Sequence, residues 1–226
     1  LLEVVYDEGR WSLLRELRDE AKEMMRPLAE RHIGALLYGS IARGDVSPTS
    51  DIDIFIPNPP APTILEALIE GAGYGIESRE IIQATPSYAA KGYIYIDEGR
   101  CYSFPLMPMR PVEREFYDFA GSINYMELLR GLRVPGVDKR LMLIEPTPQG
   151  HRESSIIGRE GYVARLLGVS VSTVLDRVRT LTRRREIGRT GVYVKRPLSP
   201  EESFGEVLEE LLRLRPAMRR RLRELD

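Results

Sequence analysis

In this 226-residue chain, the residues whose types and spacing suit chemistry lie in Gly39-Ser-Ile-Ala-Arg-Gly44 and Ser50-Asp-Ile-Asp53. Asp51 and Asp53 stand two apart on a candidate strand and so project from one face. Paired carboxylates in that geometry chelate Mg²⁺, an ion that takes oxygen ligands and shares them with substrate phosphates. Gly39 lets the backbone approach a phosphate closely. Ser40 adds a hydroxyl and an amide at an expected helix start, where unpaired amides and the dipole favour anions. A phosphate cradle ahead of metal-binding carboxylates is a minimal site for in-line attack on a nucleotide phosphorus. Arg43 has two readings, a phosphate partner or half of a surface salt bridge. Asp45 either touches metal or is a solvated loop acid.

Those residues need a scaffold. Residues 9–31 read as an amphipathic helix, with Leu13, Leu14, Leu17, Ala21, Met24, Met25 and Leu28 at three- and four-residue steps. Strands are predicted over 33–38 and 51–56, and the prolines of 57–62 end the second one. A helix over about 63–71 leads into strands over 76–84, 92–96 and 101–107, the last two joined by a turn at Asp97-Glu-Gly-Arg100. Residues 111–131 are predicted helical and 134–150 a linker or crossing segment.

Composition narrows the class. The apolar fraction of 42% with 30% charged residues is ordinary for a folded domain. No apolar run approaches the roughly 20 residues of a bilayer helix, which leaves the cytoplasm as the expected location. One cysteine, Cys101, and two histidines, His32 and His151, exclude a disulfide framework and a Cys/His metal centre. Cys101 reads as a small core residue, and His151 as part of a linker or of a segment folded over the site. Charge is divided unevenly: residues 1–150 carry 16 basic and 23 acidic side chains, residues 151–226 carry 17 and 11. An acidic front and a basic back point to a polyanion partner for the back alone.

The motif resembles that of the DNA polymerase β-like nucleotidyltransferase superfamily: Gly-Ser, Ala-Arg-Gly, then Ser-Asp-x-Asp, matched at 39–44 and 50–53. The resemblance spans about residues 10–108, and the stretch after Gly73 is most like the archaeal CCA-adding branch. It implies an α/β (α+β) fold with a small mixed sheet, an NTP substrate, two Mg²⁺ ions and release of pyrophosphate. Gly39, Ser40 and Arg43 would then hold the triphosphate, and Asp51 and Asp53 would be the catalytic, metal-binding pair. Members of the family add a third carboxylate on a later strand, where this chain has Ser103. Glu77, Glu80, Asp97 and Glu98 are the neighbouring acids, and of Glu77 and Glu80 at most one can turn toward the site.

Residues 151–226 are expected to form a second domain after a first over 1–150. Helices over 161–167 and 171–181 flank a turn at Gly168-Val-Ser170, with Val163, Ala164, Leu167, Val174, Val178 and Leu181 as their shared core. This resembles a winged helix-turn-helix. Ser172, Thr173, Asp176 and Arg177 would face outward from the recognition helix, Arg183, Arg184 and Arg185 would meet phosphates, and a hairpin over 187–194 would be the wing. Residues 151–196 hold 11 basic and 4 acidic groups, which suits nucleic acid. A helical protein-interaction module is the competing reading. A last helix is predicted over about 200–224.

The expected function is Mg²⁺-dependent transfer of a nucleoside monophosphate to an acceptor hydroxyl on nucleic acid, protein or a small molecule. Two rivals remain: a nucleotide-sensing DNA-binding regulator that has lost turnover, and an antitoxin-like transferase acting on a protein partner. Oligomeric state is not legible.

Overall fold

The computed structural model describes residues 1–188 and 191–225. In chain order come β1 (Leu2–Val5), α1 (Glu8–Ala29), β2 (Leu36–Tyr38), α2 (Ser40–Arg43) and β3 (Ile52–Phe55). Next are α3 (Pro62–Gly71), β4 (Ser78–Gln83), β5 (Lys91–Asp97) and β6 (Arg100–Pro105). They are followed by α4 (Pro111–Ala120), β7 (Ser122–Ile123), α5 (Tyr125–Leu129), β8 (Gly136–Val137), β9 (Met142–Thr147) and β10 (Gly150–Ser155). The chain ends with α6 (Glu160–Leu167), α7 (Val171–Ile187), β11 (Val194–Pro197), α8 (Phe204–Leu214) and α9 (Pro216–Arg223). The fold is mixed α/β. Its elements fall into two units, one from residues 1–23, 36–52 and 111–190, the other from 24–35, 53–110 and 191–226.

In the first unit β1, β10, β9 and β8 form an antiparallel sheet in that order, and β2 pairs with β7. The segment 134–150 therefore carries β8 and β9 and is the crossing segment of its two readings. The polar composition of β10, which follows, hides a strand, because it buries His151, Glu153 and Ser154 against partners distant in sequence. The predicted 111–131 helix is two helices. Gly121, at φ +87, ends the first, and Asn124 starts the second with a reciprocal capping box to Glu127. α6 and α7 are joined by Gly168 in the left-handed region, and Ser170 caps α7. All six predicted core residues of this helix pair are packed together, but Phe119, Val137, Leu141, Leu143 and Ile156 share that core.

In the second unit the strand order is β11-β4-β5-β6-β3. The β5–β6 hairpin turns at Asp97–Arg100 as its residues predict. One face is apolar and closed. Ile81, Ile94, Tyr102 and Phe104 are buried, with Phe104 edge-on to Phe204 of α8 at 5.2 Å. Gly92 must be glycine there, since a Cβ would run into the Phe104 ring. The predicted terminal helix breaks into α8 and α9 at Pro216, which holds Arg215 extended.

The expected wing takes another form. Ile187 ends α7, and Val194 pairs with Gln83 of β4. Arg189 and Thr190, on which the hairpin turn would fall, lie outside the described residues.

Candidate nucleotide and metal site

Gly39 sits between β2 and α2 at φ +85, a conformation open to glycine, and an added Cβ there would meet nothing within 4 Å. No side chain caps α2, so its first amides are left to a ligand or to water. The turn is only four residues long, so attraction for a phosphate rests on these amides and on Ser40, with little macrodipole behind them. Ser40 Oγ lies 3.1 Å from Ser50 Oγ, and Ser50 also accepts from the Ser47 amide, which ties the loop to the turn.

Arg43 makes the salt bridge of its second reading. It is buried, its Nε and Nη2 donate to the two carboxylate oxygens of Asp45 at 2.9 and 2.8 Å, and Nη1 donates to the Ala120 carbonyl. The salt bridge exists, but in the interior and not at the surface, and both residues are committed to it. Arg133 packs over Gly44, donating to the carbonyls of Arg43, Thr147 and Gly150; a Cβ at Gly44 would collide with its guanidinium. Arg18 likewise donates to the Ile41 and Ala42 carbonyls, and burial pushes its pKa down to about 10. Buried Arg18 and half-buried Arg133 thus hold the motif turn from behind, and Arg43 ties it from within.

Asp51 precedes β3 and is exposed; Asp53 lies inside β3 and is half-buried. Ile52 between them is buried, so the alternation of the strand turns both acids away from the core. Ser103 of β6 donates to Asp53 Oδ1 at 2.7 Å. The residue standing where a third acid was expected is therefore in hydrogen-bond contact with the second. None of the neighbouring acids replaces it. Glu80 shares the face, being opposite Tyr93, which is opposite Ser103, but β4 is three strands from β3, roughly 14 Å away. Its carboxylate accepts from the Tyr95 hydroxyl. Glu77 is exposed and of the opposite parity. Asp97 is engaged by Arg100, which holds its carboxyl below the usual range. Among the described residues no three His, Cys, Asp or Glu side chains converge as a metal site.

His151 is neither a linker residue nor a lid. It is buried in β10, with Nδ1 2.6 Å from the Tyr6 hydroxyl and Nε2 3.1 Å from Glu153. Cys101 is half-buried in β6.

The helix-turn-helix residues divide into two groups. Thr173 is fully buried, and its hydroxyl contacts the Glu115 carboxylate of α4, which also accepts from the Ser170 amide and hydroxyl. These bonds, that from Thr173 foremost, hold the Glu115 carboxyl below its usual range. The Arg177 guanidinium lies over the Phe116 ring at 4.8 Å. Two of the four residues predicted to face outward, Thr173 and Arg177, are thus engaged within the unit, because α4 packs where the helix start was expected to be open. Ser172, Arg183, Arg184 and Arg185 are exposed.

A family model described as a nucleotidyltransferase domain matches residues 14–134, more than half of the chain and the whole of the motif. No curated protein and no solved structure shows a significant match.

Proposed function

The chain belongs to the nucleotidyltransferase domain family, and from that premise we propose that it binds an Mg²⁺-nucleoside triphosphate and transfers its nucleoside monophosphate to an acceptor hydroxyl. The observation that carries this reading is the pair Asp51 and Asp53, turned off one side of the chain by buried Ile52 just after the open Gly39-Ser40 bend.

The donor set suits Mg²⁺: carboxylate oxygens, with the remaining positions left to water and phosphate. Asp51 and Asp53 would hold the metal, which when bound supplies Lewis-acid neutralisation of the triphosphate. Two carboxylates support a second ion only through oxygens of the substrate itself. The Ser40 amide and hydroxyl would hold the outer phosphates, while the Gly39 amide, donated to the Gly121 carbonyl, fixes the bend. Ser103, by donating to Oδ1, fixes the rotamer of Asp53. In the transfer, the acceptor oxygen forms a bond to the α-phosphorus, the bond to the bridging oxygen breaks, and pyrophosphate leaves. The acceptor proton passes to water, since no third carboxylate stands ready to take it. Positioning and charge neutralisation therefore bear most of the catalysis.

Ser103 also favours a second reading, a protein that binds Mg²⁺-nucleotide without turnover. Incubation with α-labelled NTPs, Mg²⁺ and RNA, DNA or protein acceptors separates the two. Label that enters an acceptor, and fails to with Asp51→Asn, supports transfer. Calorimetric binding of Mg²⁺-NTP without incorporation supports the second reading, and indifference to every Mg²⁺-nucleotide overturns both.

A further inference from the structure

The second unit has one closed sheet face and one partly open one, and the open face is laid out in rows. Lys195, Ile82, Lys91 and Pro105 face one another across β11, β4, β5 and β6. Pro197, Glu80, Tyr93 and Ser103 form the next row, and Ser78, Tyr95 and Cys101 the third. Ser103 joins the middle row to Asp53. The Tyr93 and Tyr95 rings lie nearly parallel, 12° apart with centroids 6.0 Å from each other, and both are half-buried. Their neighbours Gly92 and Ile94 are fully buried on the other side.

Two nearly parallel, stacked phenols beside a carboxylate are an unusual use of half-buried strand positions. A strand face that met only water would carry charged or small polar residues. Burial, and after it the nearby Asp53 charge, pushes the Tyr93 hydroxyl pKa upward, so the ring stays neutral at any ordinary pH. Lys195 is exposed at the edge of the face, and the Lys91 ammonium lies 5.7 Å from the Phe55 ring centroid in the same row. Flat aromatic surface flanked by cations complements a chain of bases and phosphates. Base stacking on aromatic side chains tolerates any sequence, and lysines follow the backbone.

We propose that this face seats the acceptor as a single-stranded nucleic acid, with bases stacked on Tyr93 and Tyr95, phosphates on the Lys91–Lys195 row, and the terminal hydroxyl directed toward Asp53. The direction rests on the transfer reading above; the binding does not. A duplex would not fit this role, because its bases are stacked on one another and their faces are closed to the tyrosines.

The test is fluorescence anisotropy of labelled single-stranded RNA and DNA oligonucleotides with the full chain, without Mg²⁺ or NTP. Tyr93→Ala should raise the dissociation constant roughly tenfold or more, and Tyr93→Phe should leave it within about twofold. Lys195→Ala should lower the slope of log affinity against log salt by about one. Asp51→Asn should abolish transfer yet leave oligonucleotide affinity unchanged. Circular dichroism melts confirm that each variant is folded. If folded Tyr93→Ala binds as the wild type does, or if Tyr93→Phe loses as much as Tyr93→Ala, the proposal is overturned. Transfer to a protein or small-molecule hydroxyl by a chain that ignores oligonucleotides overturns it while leaving the transfer reading intact. Oligonucleotide binding through the tyrosines by a chain that ignores Mg²⁺-NTP does the reverse.

Discussion

Two acidic positions of one motif have opposite surroundings. Asp45 is closed in: both its oxygens accept from Arg43, whose third nitrogen donates to the Ala120 carbonyl. Asp51 stands exposed, with no ion pair among the described residues, and Asp53 follows it after one residue with another carboxylate on the same side. An acid matched in charge and hydrogen bonds by a buried arginine has nothing left for a ligand and serves structure. Two acids placed beside each other repel, and a cation between them relieves the repulsion. That contrast separates the supporting part of the motif from the part that can act.

The sharpest way to break the contrast is Asp53→Asn. It should lower nucleotidyl transfer on the order of a thousandfold, the several kcal/mol that metal charge stabilisation supplies, with little change in melting temperature. A large loss of stability instead would move Asp53 into the structural class. Arg43→Ala should do the opposite. Leaving Asp45 half-buried and unpaired should cost about 2 kcal/mol in urea unfolding, while the folded protein keeps its Mg²⁺-nucleotide affinity within a few-fold. A strong affinity loss at unchanged stability would return Arg43 to the phosphate. Ser103→Ala, removing one hydrogen bond to a carboxylate, should reduce transfer about tenfold, and Ser103→Asp should tighten Mg²⁺ binding in calorimetry. If Ser103→Asp weakens it, the third position is not part of the metal site.

The smallest effect belongs to a second acid of the closed kind. Glu153 accepts from Arg140, which holds its carboxyl below the ordinary value of 4.5, and also contacts His151. Because the folded pKa is the lower one, its contribution is present above that ordinary value and is lost as pH falls through the folded pKa. Urea midpoints measured from neutral pH to well below 4.5 should fall for the wild type and fall less for Glu153→Gln. Equal acid limbs in the two proteins would show that Glu153 carries none of the dependence.

Much of the scaffold was legible because it follows local periodicity. α1, β3, α3, the β5–β6 hairpin and the α6–α7 core all come from apolar spacing and turn residues. Where the reading failed, the decisive partner was distant. β10 looked like a loop because His151 and Glu153 are polar, and they are buried only because Tyr6 and Arg140 supply their hydrogen bonds. Two errors had a local signal that went unused: Asn124 with Glu127 marks a helix start, and Pro216 marks a break. In the helix-turn-helix stretch the expected core packs together and Ser172 and Arg183 to Arg185 are exposed, whereas Thr173 and Arg177 meet α4.

By itself, the sequence determined which residues the proposed metal and triphosphate site draws on, because Gly39, Ser40, Asp51 and Asp53 owe their chemistry to residue type and to a spacing that the backbone enforces. Only the tertiary structure decided which charges stay available. Arg43 and Asp45 are withdrawn by each other and by the Ala120 carbonyl, Ser103 is brought onto Asp53 by strand pairing, and Tyr93 is aligned with them across three strands. The physical reason is that burial and hydrogen-bond partners are properties of contact, and contact between residues this far apart in the chain exists only after folding.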